Sequence, residues 1–324
     1  MNRAHSQNRR LRIYLAIGVA AGCVACAFNG AKDDGKYEKR MQRAVDALVA
    51  DGDADSLAAA SMFAGLPRGN PMLRLELIRR ATVLAPDRAD LTWLELQSCS
   101  QVASCDPLPI EALLRALDPT NAVPWSVSIR RSVELNDSGA VRKNLEQIAR
   151  SQRFDIYWNT TIVHAVNAAV KDHLLDTQTA IVATIGATAA WSIPPYQQIL
   201  KACNGAALQD PAVLQTCREV ASVLRRGDTY ITEMVGIAIA KRTWPEGSPE
   251  RKAAVDARRV AYYRMQSAAD IAVAEFRDKN HSAQYLQLLA THKTEQEVVL
   301  AELLTAGLSP TPPPDWKDHM EGGS

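Results

Sequence analysis

The most specific chemistry available to this chain lies in its six cysteines. Cys23 and Cys26 stand in an apolar N-terminal run, whereas Cys99, Cys105, Cys203 and Cys217 fall into two local pairs further along. Thiols placed in this way can close disulfides, ligate a metal or carry a lipid. Zinc is disfavoured, because neither pair has the short C-x₂₋₄-C interval of structural zinc modules. Four cysteines allow three pairings, and spacing alone does not choose among them. Local pairing, Cys99 with Cys105 and Cys203 with Cys217, requires the least chain organisation and is the expected one. Closing a loop of about the second pair's length stabilises a fold by about 3 kcal/mol in the chain-entropy account.

Other side chains that could do chemistry are scattered. His164 and His173 lie nine residues apart, so they do not share a helical face as an i, i+4 metal pair must. His281 and His292 flank one predicted helix, and a packed or solvated histidine is the simpler reading for all four. Asp51-Gly-Asp53-Ala-Asp55 offers oxygen ligands at alternate positions, as the start of a calcium loop does. The turn glycine is replaced by Ser56 and the twelfth position is Met62, which leaves a turn and helix N-cap as the better reading. No G-x-S-x-G, H-E-x-x-H, phosphate-loop or G-x-G-x-x-G pattern is present, and no cofactor or metal is expected. Tyr262 and Tyr263 with Arg258, Arg259 and Arg264 form the richest basic-aromatic cluster. A net charge of +1 gives no field to attract nucleic acid, so a solvated helix face with tyrosines packed at its edge is favoured.

The N-terminus bears on where the cysteines work. Residues 1–12 carry Arg3, Arg9, Arg10 and Arg12 and no acid, and Ile13 to Phe28 is apolar or small throughout. This is the pattern of an export signal. The run is shorter than the roughly 20 residues that span a bilayer. Ala25-Cys26-Ala27 suits cleavage after Ala27, so residues 1–27 read as a signal peptide. Ala20-Ala21-Gly22-Cys23 resembles a bacterial lipoprotein box, which would make Cys23 the lipid-bearing first residue; Ala20 departs from the Leu usual in that family. Both processing routes stay open, and each leads to an oxidising compartment that permits disulfides. The membrane then enters only through a lipid anchor or an uncleaved signal.

Positioning falls to helices. Apolar residues make up 47% and aromatics 6% of the 324 residues, with periodic stretches dominated by Ala, Leu, Arg, Glu and Gln. After a linker at 28–35, helical spacing recurs through a domain at 36–244. Thr177 to Ala190 is rich in Thr, Val and Ile, yet its neighbourhood decides for helix. Helices are also expected over Phe154 to Val170 and Leu174 to Ala190. Trp244-Pro-Glu-Gly-Ser-Pro249 marks a soft boundary before a C-terminal helical segment at 249–308 and a Pro-rich tail at 309–324.

Trp93, Trp125, Trp158 and Trp191 are separated by 32, 33 and 33 residues, a period that helical repeat arrays produce. Ala81, Leu84 and Pro86, then Leu117, Asp118, Pro119, Asn121 and Trp125, give this stretch a resemblance to a tetratricopeptide-type repeat. The match covers roughly residues 78–130 and fades beyond, where neither Trp158 nor Trp191 follows an Asp-Pro stop. The resemblance implies an all-α, tetratricopeptide-like helical hairpin solenoid, with Leu84, Trp93, Leu117, Pro119, Trp125, Trp158 and Trp191 in its repeat core. Solenoids commonly present a surface to another polypeptide. The expected function is therefore an exported helical-repeat scaffold or binding protein that engages a protein or peptide partner in the cell envelope. The alternatives are an enzyme with a dispersed acid/base site, and an inhibitor or immunity-type lipoprotein. Trp316 in the tail is expected to fold back and cover the end of the array.

Overall fold

The computed structural model describes residues 34–64, 69–191, 193–275 and 278–317. The expected signal at 1–27 with Cys23, most of the expected 28–35 linker and the last residues of the tail lie outside the described residues, as does the Trp191 side chain. Helices dominate what is described, and no β-strand forms there beyond one isolated bridge between Asn121 and Arg153. The order is α1 (Asp34–Asp51), α2 (Ala54–Phe63), α3 (Pro71–Leu84), α4 (Ala89–Cys99), α5 (Leu108–Leu117), α6 (Val123–Glu134), α7 (Ser138–Arg150) and α8 (Trp158–Val170). It continues with α9 (Thr177–Trp191), α10 (Tyr196–Ala202), α11 (Pro211–Leu224), α12 (Tyr230–Thr243), α13 (Pro249–Ala274), α14 (Lys279–Thr291) and α15 (Glu295–Thr305).

Local signals account for most helix starts. Asp53, Asn70, Asp137, Asp210, Thr229, Ser248, Asp278 and Thr294 each accept a first-turn amide from their side chains, which satisfies donors that the helix itself leaves unpaired. Thr294 and Glu297 complete a capping box. The Thr/Val/Ile-rich stretch is helical, as expected, but α9 begins at Thr177 after a short 3₁₀ turn, Lys171–His173. The expected helix from Phe154 is corrected: Phe154 to Tyr157 is a loop, Tyr157 is left-handed, and α8 starts only at Trp158. No residue near that start supplies the cap. Asp228, 70 residues on from Trp158, does so instead, accepting the Ile156 and Trp158 amides at 3.1 and 2.9 Å.

Neighbouring helices pack in succession from α1 to α7, and the succession then passes through α7, α11, α12, α13, α15 and α14. It returns on itself, because α14 packs on α8 and α9 and both of these pack on α2. The α11–α12 crossing is close: a Cβ at Gly236 would stand 2.7 Å from the Arg225 amide nitrogen. Arg218 lies over the Trp244 ring at 3.8 Å and bonds the Thr243 carbonyl, fastening α11 to the end of α12. Cys99 is joined to Cys105 in the turn after α4, and Cys203, at the end of α10, is joined to Cys217 in α11.

Burial sorts the residues expected in the repeat core. Trp93 and Trp158 are in the core, and Trp125 is partly buried beneath the Arg115 guanidinium at 4.4 Å. Leu117 is partly buried. Leu84 and Pro119 do not join the core: Leu84 ends its helix 57% exposed, and Pro119 is exposed in the turn after α5. The buried face of α3 is Leu75, Leu77, Ile78 and Ala81. Asn121 has a different task. Its amide takes the Asp155 amide and gives to the Asp155 carbonyl at 3.0 and 2.8 Å, so the turn after α5 grips the turn before α8.

The α12–α15 junction encloses carboxylates. Glu295 accepts the Tyr230 amide at 2.7 Å, and burial together with nearby Glu233 pushes its carboxyl up to about 7. Unfolded glutamate titrates near 4.3, so the native state holds an extra proton between those values. The resulting stabilisation is full below about pH 4.3 and is lost as pH rises through 7. Glu295→Gln, which keeps the acceptor, is expected to raise stability at pH 8 by on the order of 1–2 kcal/mol and to change it little at pH 4. Denaturant unfolding at both values checks this; an equal effect at the two would refute it.

Candidate functional site

A cleft of about 450 Å³ lies where the α1–α2 turn, the start of α4 and the C-terminal half of α8 meet. Asp53, Asp55, Ser56, Arg88, His164, Asn167 and Lys171 supply its polar walls. Each is placed by a local device. Asp53 caps α2 through the Ser56 amide at 2.7 Å, and this turn aims Asp55 at the opening. Arg88 stands at the α4 N-terminus, and His164, Asn167 and Lys171 follow one another along one face of α8 and into the turn beyond it.

Charges of both signs are tied together here. Arg88 makes a two-pronged bond to Asp90, at 2.8 and 2.6 Å, and reaches Asp55 at 3.0 Å with its remaining arm. The other Asp55 oxygen meets His164 Nδ1 at 2.9 Å. The bond with His164 and, less strongly, that with Arg88 outweigh burial and hold the Asp55 carboxyl down at about 2. Lys171 Nζ sits 2.9 Å from Asp51 and 3.5 Å from Asp53, and its ammonium is held above the ordinary lysine range by the Asp51 bond. With Nδ1 engaged, Nε2 is the ring nitrogen of His164 left for a ligand.

The arrangement presents carboxylate edges and one imidazole nitrogen at the mouth of an ion-paired wall. It suits recognition of a polar, donor-rich group. A hydroxyl is present in Ser56, but that side chain is buried and donates to Asp51 at 2.6 Å. Among the described residues no group of three or more His, Cys, Asp or Glu is arranged to hold a metal ion.

Sequence reading found parts of this site without its meaning. A cap lies in this stretch as expected, at Asp53, with Asp51 ending α1 and Asp55 already in the first turn of α2, while His164 meets Asp55 across 109 positions, which no spacing rule detects. Of the other histidines, His173 is exposed in a left-handed turn, His281 Nε2 lies 3.8 Å from Glu302, and the His292 carbonyl takes the Asn159 side-chain amide. The basic-aromatic cluster on α13 is occupied by the chain's own tail: Tyr263 meets Trp316 edge-on at 5.6 Å between ring centres.

Fold and site together define an all-α protein with two local disulfides and, among the described residues, no helix long and apolar enough to cross a membrane. No protein-family model matches the chain, and neither does any curated protein or solved structure.

The Asp55–His164 pair is a direct tie between α2 and α8. Both side chains are about a third exposed or more, so a double-mutant cycle of Asp55→Ala and His164→Ala is expected to return a coupling of about 0.5–1 kcal/mol. The Asp55 contribution is present above about pH 3.9 and lost as pH falls through about 2. Zero coupling at pH 6 would remove the tie.

Proposed function

We propose that this protein is an exported helical-hairpin binding protein, built on a tetratricopeptide-like plan, that engages a polypeptide partner in the cell envelope through the Asp55–His164 cleft. The observation that carries the reading is the cleft itself. Arg88 and Lys171 are committed to carboxylates, whereas Asp53 and the free nitrogen of His164 keep unused acceptor capacity at the opening. Peptide amides, ammonium groups and hydroxyls are donors that such a rim can take. Export is supported by the N-terminal basic and apolar pattern and is compatible with two disulfides. The repeat plan is supported by the sequential packing of α1 to α7 and by the Asn121 clasp.

A second reading, an enzyme with a dispersed acid/base site, draws on one feature: an Asp-oriented His is the usual form of a general base. A separate acid would be needed opposite it, yet the other charged side chains of the cleft wall, Arg88 and Lys171, are tied to carboxylates. Binding is therefore the better-supported role. An inhibitor or immunity-type protein is one form that such binding could take.

Photo-crosslinking tests the assignment. A crosslinking residue at exposed Asn167, on the cleft, is expected to give a discrete polypeptide adduct in cells, and one at Val83, 78% exposed and outside the cleft lining, is not. Adding Asp55→Asn should reduce the Asn167 adduct at least fivefold. Equal adducts from both positions, or no effect of Asp55→Asn, would contradict the assignment.

A further inference from the structure

The tail beyond α15 lies on α13 in a manner that says what this face recognises. Arg259 Nη2 donates to the carbonyls of Pro313, Pro314 and Trp316 at 2.6, 3.3 and 3.2 Å. One turn along the helix, Arg264 Nε donates to the Pro310 carbonyl at 2.9 Å. Tyr263, one turn from Arg259, takes the Trp316 ring on edge, and the Arg259 guanidinium lies 5.9 Å from the same ring.

Every one of these hydrogen bonds ends on a main-chain carbonyl. Proline fits such a receptor because it has no N–H of its own to satisfy. The Trp316 N–H is taken within the segment by the Pro313 carbonyl, closing a turn over Pro314 and Asp315 that faces its Pro313, Pro314 and Trp316 carbonyls to Arg259. None of the bonds reads Thr311 or Asp315, so recognition depends on the carbonyl display and on one aromatic ring. The tail is also lightly covered: Thr311, Pro313, Pro314 and Asp315 are exposed. Little apolar area holds it down, and its advantage over a competitor is tethering, which supplies a high effective concentration without new contacts.

We propose that the Arg259–Tyr263–Arg264 face of α13 is a docking surface for a proline-rich turn that the chain's own 309–317 segment masks, and that its exchange occupant is a proline-rich, aromatic-bearing segment of a partner polypeptide. The surface is distinct from the Asp55–His164 cleft, and it stands whether or not that cleft binds a partner.

The test uses the full chain and a fluorescent peptide with the sequence of residues 309–317. In wild-type protein the tethered tail competes, and binding measured by anisotropy is weak. In a full-length Pro313→Gly/Trp316→Ala variant the tail loses its ring contact and a proline that stiffens its turn, and the peptide is expected to bind at least tenfold more tightly. Adding Arg259→Ala to that variant should abolish the gain, and a peptide with its prolines replaced by glycine should not bind. Failure of the unmasked variant to take up the peptide, or uptake that survives Arg259→Ala, would overturn the proposal. Loss of helical circular dichroism on unmasking would overturn it as well, since a segment that the fold requires is not a displaceable mask.

Discussion

Asp228 is the residue on which the other contacts converge. It lies in the turn between α11 and α12, and its buried carboxylate takes the two amides that open α8. Its own amide donates to the Phe154 carbonyl, and its carbonyl accepts the Glu295 amide at 2.8 Å. Three turns far apart in sequence, before α8, before α12 and before α15, thus meet at one residue, the first through its side chain and main chain and the last through its carbonyl. Burial and the neighbouring Asp155 raise its pKa well above the ordinary aspartate range, and the two amide bonds oppose that rise. A buried carboxylate costs several kcal/mol in lost hydration unless such donors surround it. The knot therefore links the starts of α8, α12 and α15 through one buried residue.

Closure in turn creates the cleft. His164 and Lys171 ride on α8, and α8 reaches Asp55 only because its N-terminus is anchored at Asp228 while its face packs on α2. A strictly nearest-neighbour array would keep the α1–α2 turn and α8 apart, since each unit there touches only adjacent units. The same closure brings α13 and α15 against α12, and the tail leaves α15 in position to lie along α13. Cleft and tail groove are thus two consequences of one topology, on surfaces served by different elements.

What was legible in the sequence follows from how far each cause acts. Helix type was readable, because apolar periodicity and residues such as Asp53, Asn70, Asp137 and Thr294 act within one turn of the chain. The local cysteine pairs were readable for the same reason. Leu84 was misplaced because the repeat pattern assigns it to the core, whereas α3 ends at that residue and buries the face through Ala81 instead. The start of α8 was misread because its cap is 70 residues away, beyond any local signal. Asp55 and His164 are separated by 109 positions, and only the return of α8 onto α2 brings them together. Trp316 on Tyr263 was partly foreseen from the need to cover an end, but the arginines that hold the tail carbonyls had been read as a solvated face.

Hydrogen exchange on Asp228→Ala, compared with wild type, measures the knot most directly. If the three turns close as one unit around this residue, loss of the carboxylate that holds the Ile156 and Trp158 amides also loosens the main-chain bond to Glu295. Protection then falls together at the Ile156, Trp158 and Glu295 amides, and the slow exchange of α8 falls with them. Unchanged protection at Ile156 and Trp158, or loss confined to one turn, would contradict the account.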